Sequence, residues 1–422
     1  MIYDKQISNN FFKIFFLLFF LFSVIKIIDN SLNLDSYQYG NWLINYQAGF
    51  VRRGLLGEIV YHFSSLFNYN FILAVIVFVT VICLIYYVLL YKLFSKIELN
   101  FVWLLLIFSP LVFFYIVNQG KAGVHPTIIL FAFYVYFLLN LEKVNNNNLF
   151  NFSIYAFLIV YLFIWEGAYF YFIYFLIPQI LTADNYQRKK LLIKFGLFLT
   201  AASFLMILIY VFRGNADSSK IICESLKEFA PAKCDWWGGI ATISKHASTL
   251  ADGTENTRLH NWEYDEVLFG FIPKYFYLHS DIKTILGFLI YIAYSILPLL
   301  LFYRFASVSN EGNINIFKYC LLAAFVFSIP IFHLAEDWLR WISYHLNFIA
   351  FLLVILFKIN FLKFNQSSKY LNILEKLKII KIRRLFYIFL VLYPFLLYIY
   401  PWYVEGNRLQ FTIIKVIEKQ LK

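Results

Sequence analysis

Long apolar stretches alternate with short polar connectors along nearly the whole chain. A run of close to 20 apolar residues is the length that crosses about 30 Å of bilayer hydrocarbon as an α-helix. The pattern predicts about eleven such spans. They fall at residues 11–28, 71–94, 101–118, 127–141, 149–165, 168–182, 191–212, 284–304, 316–333, 342–358 and 385–402. The predicted fold is therefore all-α, a polytopic transmembrane helical bundle that forms one integral membrane domain over residues 1–422.

Composition supports the same class. The chain is 62% hydrophobic and 14% charged, whereas soluble domains carry about 25% charged residues. The net charge of +12 does not require nucleic acid as a partner. Most Lys and Arg residues lie in loops where membrane proteins place them, so the bilayer is the expected partner.

The basic residues also predict orientation. They collect in alternate loops, which places the N-terminus in the cytoplasm and the C-terminus outside. The opposite face is poor in Lys and Arg, apart from Arg52, Arg53, Lys121 and a few residues of the longest loop. Because these residues break the charge rule, they are candidates for function. The first apolar run shows no small-residue cleavage site, so no cleaved signal is expected.

Two outer loops contain most of the polar sequence. Residues 29–70 form the first outer loop, with amphipathic or juxtamembrane helices, and residues 213–283 form a large extracytoplasmic loop. Cys223 and Cys234 share the second loop, and an oxidising compartment would favour a disulfide between them. Trp236 and Trp237 follow Asp235. Such a group suits a carbohydrate surface, or equally an aromatic belt at lipid headgroups.

The first outer loop contains a double arginine between glycines. Planar guanidiniums bind phosphoryl oxygens two at a time, so Arg52 and Arg53 suit a phosphate or pyrophosphate. A helix that starts near Arg53 would add the positive potential of its N-terminal amides. Glu58 and His62 would then lie four residues apart on one face and could join the site. The alternative is an amphipathic connector that holds both arginines at lipid headgroups.

A carboxylate interrupts the next apolar region. Residues 149–181 are too many for one helix, so Glu166 and Gly167 are predicted to form the turn of a tight hairpin. An acid at that depth is a functional candidate, although it could simply reach headgroup water. Lys121, in another short outer turn, could bind phosphate or act as a snorkelling anchor.

A second ionisable cluster lies near residue 340. If this stretch is helical, His333, Asp337, Arg340 and Tyr344 line one face. Arg340 could pair with Asp337 or with Glu336. The cluster could be a second anion clamp or a support for a catalytic carboxylate. The alternative is an ion-pair stripe that satisfies only itself.

The residues from Asp35 to Val51 resemble a known family. Asp35-Ser-Tyr-Gln-Tyr-Gly-Asn-Trp-Leu, followed by Gly49-Phe-Val, is similar to the first outer loop of GT-C-fold glycosyltransferases. Those enzymes take sugars from polyprenyl phosphate or pyrophosphate carriers. The resemblance implies that Asp35 is the catalytic base or orients the acceptor, with Asp29 as its rival. The family often has a second acid where this chain has Ser36. In composition and topology the chain is also similar to Wzy-type O-antigen polymerases.

These observations predict an integral membrane glycosyltransferase of the bacterial inner membrane. It would use an undecaprenyl-type lipid-linked sugar or repeat unit at the extracytoplasmic face, as a polymerase of lipopolysaccharide O-antigen or capsule. Asp35, Glu166 and Asp337 are the catalytic candidates, and the arginines would stabilise the carrier phosphate. No cofactor or metal is expected, and other polysaccharide-assembly membrane proteins are possible partners. The alternatives are a lipid-linked oligosaccharide flippase or transporter and a non-catalytic envelope scaffold.

Overall fold

The structure is a computed structural model of the chain. It describes residues 5–32, 40–95, 125–226, 312–334 and 338–364. It also describes residues 97, 103, 106–107, 109, 112, 240, 293, 296–297, 299–300 and 306–308.

The described chain is mostly helical. The α-helices, in order, are α1 (Lys5–Leu32), α2 (Gly54–Phe67), α3 (Phe71–Phe94), α4 (Thr127–Leu139), α5 (Leu141–Asn146), α6 (Asn148–Tyr161), α7 (Ile173–Thr182), α8 (Asn185–Val211), α9 (Ala216–Leu226), α10 (Gly312–Leu334) and α11 (Trp338–Lys358). A 3₁₀ helix over Glu166–Tyr171 separates α6 from α7. Two short strands, β1 (Ala306–Val308) and β2 (Leu362–Phe364), complete the described structure.

Side-chain caps mark where several helices begin. The Asn70 Oδ1 atom accepts a hydrogen bond from the Ile72 amide at 2.7 Å, which starts α3. Asn147 and Asp184 cap α6 and α8 in the same way, at 3.1 and 2.8 Å. Each cap satisfies an amide that has no partner within the first helical turn. The sequence therefore sets these boundaries locally.

Four of the described helices are long and apolar enough to cross a membrane. They contain the stretches Phe71–Phe94, Asn185–Val211, Ile314–Ile331 and Arg340–Lys358. In the most apolar 18-residue window of the last stretch, 78% is buried inside the protein, whereas only 22% is buried in the corresponding windows of the second and third. Helix α11 is therefore the central helix of the described bundle, and α8 and α10 expose apolar faces of the kind that lipid covers.

Cross-helix contacts establish the relative directions. The Ser23 hydroxyl of α1 lies 2.8 Å from the Tyr87 hydroxyl of α3, and the Phe12 ring contacts that of Phe94, so these helices are antiparallel. Near its start, Thr127 of α4 bonds to Tyr344, and further along Tyr134 contacts the Phe348 ring, so α4 runs beside α11 in the same direction. Helix α7 also runs with α11, because Tyr171, just before α7, donates to the Trp341 carbonyl and Phe175 contacts the Phe348 ring.

Helices α10 and α11 are antiparallel neighbours joined by polar groups. The Nε2 atom of His345 lies 2.7 Å from the Ser328 hydroxyl on α10. Its Nδ1 atom lies 2.6 Å from the Tyr174 hydroxyl on α7. A polar group in an apolar interior needs such partners, so His345 fixes three helices in register.

The predicted spans and the described helices agree in most places. The 71–94 prediction has the same bounds as α3, and residues 11–28, 127–141, 191–212, 316–333 and 342–358 overlap α1, α4, α8, α10 and α11. The 385–402 span lies outside the described residues, and only isolated residues are described within 101–118 and 284–304.

One prediction was incomplete and one was wrong. The all-α prediction is confirmed for the bulk of the described chain, which is mostly helical, but it missed one short strand pair: β1 and β2 pair antiparallel, with Ser307 opposite Lys363. Each strand has three residues, which is too short for a readable alternation. The tight hairpin at Glu166 is instead a six-residue 3₁₀ helix. Helices α6 and α7 still form a hairpin, because Asn151 donates from Nδ2 to the Gln179 Oε1 atom at 2.9 Å.

Candidate functional site

The loop before α2 packs directly against that helix. A Cβ atom on Gly57 would overlap the carbonyl oxygen of Ile44, and one on Gly54 would overlap the Tyr46 ring. Only glycine permits this approach of backbone to helix. Helix α2 begins at Gly54, so the condition under which the sequence placed helical amides near Arg53 is met. Gly54 and Gly57, which follow the double arginine, therefore serve close packing.

The Glu58 side chain of α2 also binds this loop. One carboxylate oxygen accepts the Tyr46 amide at 2.7 Å, and the other lies 3.2 Å from Gln47 Nε2 and 2.9 Å from His62 Nε2. Burial and the nearby Glu58 charge raise the pKa of Tyr46 to about 12. Glu58 and His62 do lie on one helical face, as expected, and both contribute to a contact that shapes the loop.

Arg53 and Glu166 form the central ion pair. The Arg53 Nε atom donates to Glu166 Oε2 at 2.8 Å, and Nη2 donates to Oε1 at 2.6 Å. This is the bidentate geometry in which a guanidinium binds a carboxylate most strongly. The remaining nitrogen, Nη1, donates to Asn41 Oδ1 at 3.3 Å. Arg52 approaches the same carboxylate more loosely, with Nη1 3.5 Å from Oε1.

The backbone of Arg53 is unusual. Its φ of 63° places it in the left-handed region, which residues other than glycine seldom adopt. The residue is the N-cap of α2 but makes no side-chain cap. Strained conformations persist where surrounding contacts impose them. Here the three contacts of the guanidinium with Glu166 and Asn41 supply that constraint.

The ion pair determines the chemistry available to Glu166. Burial would raise the pKa of Glu166, but the charge and hydrogen bonds of Arg53, with the charge of Arg52, lower it to about 2. A carboxylate held this strongly ionised is a weak base and has its oxygens occupied. The geometry therefore favours a role for Glu166 in positioning the arginines over the role of general base.

Backbone contacts tie the first outer loop to two other segments. The Arg52 amide donates to the Arg213 carbonyl at 3.2 Å, just after α8. The Leu55 amide donates to the Phe163 carbonyl at 3.4 Å, just before the 3₁₀ helix. The second contact uses one of the N-terminal amides of α2 that could otherwise face a ligand. These contacts hold Arg52 and Arg53 against the segment that carries Glu166.

The charges of two of the cations act on His125. It is 3% exposed. Its Nδ1 atom lies 3.1 Å from the Thr127 hydroxyl, which in turn lies 3.1 Å from the Tyr344 hydroxyl. Burial, together with the charges of Arg340 and Arg53, lowers the pKa of His125 well below its usual range. His125 is therefore neutral at pH 7, and both guanidiniums act on it.

Aromatic rings pack beside these groups. The ring of Trp165 stacks on that of Trp341, with centroids 5.8 Å apart and planes 11° apart, and it makes a T-shaped contact with the His125 ring, with centroids 5.6 Å apart. Each tryptophan adjoins a charged residue in sequence, Glu166 or Arg340. We refer to Asn41, Arg52, Arg53, His125, Glu166 and Arg340 as the arginine cluster.

The structure brings together some of the predicted site residues and separates others. Arg52, Arg53, Glu166 and Arg340 all belong to the cluster, although they come from three distant parts of the sequence. The prediction that His333 and Arg340 share one helical face was wrong, because His333 lies in α10 and Arg340 in α11. Each of these two helices is long enough to span a membrane. The polar stretch near residue 340 is therefore divided between the end of one helix and the start of the next.

Several predicted residues lie outside the part of the chain that the structure describes. They are Asp35, Lys121, Cys234, Trp236, Trp237, Glu336 and Asp337. Asp29 belongs to α1. Cys223 is disulfide-bonded, whereas Cys83 and Cys320 are free thiols. Among the described residues, no group of three or more His, Cys, Asp or Glu residues could hold a metal ion.

Sequence reasoning did not single out Asn41 or Thr127, and it placed Tyr344 only on a helical face with Arg340. Asn41 is 2% exposed and entered only as part of the stretch that resembles the glycosyltransferase loop. Its partner Arg53 is 12 residues away, and Thr127 and Tyr344 are 217 residues apart. No spacing rule links such distant positions. The only available signal was a polar residue within an apolar stretch.

A family model matches residues 12–368, which include every residue of the arginine cluster. Its description is "Uncharacterised membrane protein Rv1490". The chain belongs to this family. No curated protein matches the chain, and no solved structure matches it. Membership in the Rv1490 family, together with the apolar helices, establishes a membrane protein whose activity must be inferred from its site.

Proposed function

We propose that the protein transfers a glycosyl group from a polyprenyl phosphate or pyrophosphate carrier at the extracytoplasmic side of a bacterial inner membrane. The products would be surface polysaccharides such as O-antigen or capsule, with the protein acting as their polymerase. The observation that carries this proposal is the contact of the Arg52 and Arg53 guanidiniums with Glu166, together with the charges of Arg53 and Arg340 that act on His125. Guanidiniums are the side chains best matched to phosphoryl oxygens.

The depth of the cluster also supports a lipid-linked substrate. The Phe131 ring of α4 contacts the rings of Tyr344 and Phe348, so Phe131 lies at the height of about residue 346 of α11. Thr127, one turn earlier in α4, then lies at the height of about residue 342, which is ~6 Å along the helix axis from the first residue of α11. Helix α4 has 13 residues and α7 has 10, so they rise only ~20 and ~15 Å. Neither crosses ~30 Å of hydrocarbon alone. The ends of these short helices would leave the cluster recessed, close to where a carrier headgroup lies.

The proposed reaction is a displacement at the anomeric carbon. The bond from this carbon to the carrier phosphate oxygen breaks, and a bond to the acceptor hydroxyl oxygen forms. Asp35 would take the acceptor proton, in line with the glycosyltransferase resemblance. The carrier leaves as a phosphate or pyrophosphate anion, and Arg52 and Arg340 would stabilise the charge that grows on it. Glu166 and Arg53 would hold Arg52 in place.

The test uses membranes in which the polymer can be seen as a ladder on a gel. The Asp35→Asn variant should lose the ladder, because removal of a general base typically slows a reaction by roughly 10² to 10⁴. The Arg52→Lys variant should also fail, since an ammonium cannot reproduce a two-pronged contact with phosphate. An immunoblot must show normal amounts of each variant.

A matched control is Arg188→Lys. Arg188 lies near the start of α8 and bonds to the Ile180 carbonyl and Asn185, away from the arginine cluster. The substitution makes the same chemical change as Arg52→Lys, and membranes with the Arg188→Lys variant should still give the polymer ladder. Full ladders from well-expressed Asp35→Asn and Arg52→Lys variants would overturn the proposed function.

A further inference from the structure

The hydrogen bonds of His125 determine which ring nitrogen carries its proton. The Thr127 backbone amide donates to Nδ1 at 3.3 Å. A backbone amide can only donate, so Nδ1 is an acceptor and carries no proton. A neutral imidazole then carries its single proton on Nε2. The Thr127 hydroxyl can donate to the same Nδ1 atom while it accepts from the Tyr344 hydroxyl.

The position of this ring makes the Nε2 proton useful. The charges of Arg53 and Arg340 both act on His125, and its ring makes a T-shaped contact with Trp165, the residue next to Glu166. Two cations next to an imidazole oppose its protonation, so the ring stays a neutral donor. A neutral N–H beside guanidiniums can bind an anionic oxygen without any change of its own charge.

A second hydrogen-bond donor, the indole N–H of Trp341, also favours a bound ligand. The Trp341 Nε1 atom is buried and has no hydrogen-bond partner among the described residues. Trp341 stacks on Trp165 and follows Arg340 in sequence. A buried N–H without an acceptor is unfavourable and is uncommon in native proteins. An oxygen-rich ligand at the arginine cluster would supply the missing acceptor.

We propose that His125 is a ligand-binding residue whose Nε2–H donates a hydrogen bond to a phosphoryl oxygen held at the arginine cluster. This inference rests on the proposed function, which supplies the phosphoryl group. It adds a neutral donor to the cationic ones and gives His125 two separable roles. Through Nδ1 it caps the start of α4, and through Nε2 it contacts the ligand.

Two substitutions separate these roles. In His125→Asn the side-chain oxygen can occupy the place of Nδ1 and accept from the Thr127 amide, which keeps the cap but removes the Nε2 donor. In His125→Gln the longer amide can place an N–H near the position of Nε2, but the cap is weakened. If His125 is purely structural, His125→Asn should bind the ligand better than His125→Gln. If His125 binds the ligand, His125→Gln should bind it better than His125→Asn.

The experiment measures binding of farnesyl phosphate to the purified full-length protein in detergent by calorimetry, with farnesol as the uncharged control. Thermal unfolding is recorded for the same samples. We expect wild-type protein to bind farnesyl phosphate and not farnesol. The His125→Asn variant should bind about tenfold more weakly at nearly unchanged melting temperature, as expected for a lost hydrogen bond to a charged group. The His125→Gln variant should bind more tightly than His125→Asn while melting at a lower temperature.

The outcomes separate the inference from the proposed function. Unchanged binding by His125→Asn, with weakened binding by Arg52→Lys, would overturn the role of His125 and leave the phosphate site intact. Binding that follows melting temperature across both variants would show that His125 is only a cap. No difference between farnesyl phosphate and farnesol with wild-type protein would overturn both proposals. Binding by wild-type that is lost in both His125→Asn and Arg52→Lys, at normal melting temperatures, would support both.

Discussion

Arg53 and Glu166 are joined by a two-pronged ion pair although 113 residues separate them in the chain. The pair connects the loop before α2 to the segment between α6 and α7. Its side chains are only 15% and 18% exposed, so water screens the attraction weakly. The pair therefore determines where the neighbouring arginine lies.

The first prediction concerns the energy of this pair. The Glu166→Gln variant should lose roughly 1–3 kcal/mol of stability, because it leaves the Arg53 charge largely buried without its carboxylate. The Arg53→Gln variant should lose a similar amount. The double variant should lose clearly less than the sum, since no uncompensated charge remains. Thermal unfolding in detergent measures all three, and strict additivity would contradict a direct coupling. Arg52→Gln is the matched control, and its looser 3.5 Å contact predicts a smaller loss.

The second prediction is a pH dependence of the same contact. The pKa of Glu166 is lowered from 4.5 to about 2 by its arginines, against the effect of burial. The stabilisation is then fully present above pH 4.5 and is lost as the pH falls toward 2. The difference in melting temperature between wild-type protein and Glu166→Gln should be constant above pH 5 and should shrink below pH 4. Glu142→Gln, at an exposed position of α5, controls for general effects of acid. A difference that stays constant down to pH 3 would show that the carboxylate is not held ionised.

The third prediction tests the packing of the first outer loop. The Gly57→Ala variant should lose about 1–3 kcal/mol, because the added methyl group must displace the Ile44 carbonyl. The same change at Gly196, inside α8, meets nothing within 4 Å. Gly196→Ala should be neutral or stabilising by up to ~1 kcal/mol, since alanine favours helix. Equal melting temperatures for the two variants would mean that the loop does not rest on α2.

The fourth prediction concerns the disulfide of Cys223. We expect Cys234 to be its partner, so Cys223→Ser and Cys234→Ser should each lower stability by about 3 kcal/mol and the double variant by no more. Labelling with a thiol reagent should detect Cys223 and Cys234 only after reduction. Labelling of both without reductant would show that they are free thiols.

The fifth prediction fixes the sides of the membrane. Reporter fusions after Lys190 and after Lys378 should report cytoplasm, and a fusion near Gly253 should report the outside. The Lys358 ammonium donates to the Lys92 carbonyl at 2.9 Å, which places two predicted cytoplasmic loops at the same end of the bundle. A cytoplasmic signal at Gly253 would overturn the sidedness and with it the outward-facing site.

The sequence alone determined the elements whose causes are local. An unbroken apolar run gives α3, and Asn70 caps it, so residues 71–94 could be read directly. The break in the apolar run at Glu166 was equally readable, whereas a helix start near Arg53 was only a condition of the argument. Hydrophobic length and capping act within one or two helical turns, which is why a single sequence reveals them.

The tertiary structure alone decided which polar groups meet. Arg53 could have faced lipid headgroups, and Glu166 could have reached water, as far as their sequence neighbours show. Packing of α2 against the Phe163 segment brought them together, because a guanidinium and a carboxylate that leave water are stabilised by meeting each other. The same packing brought His125 under the charges of two arginines and put His333 and Arg340 in different helices. Pairing across 113 residues depends on how helices assemble, and that information is spread over the whole chain.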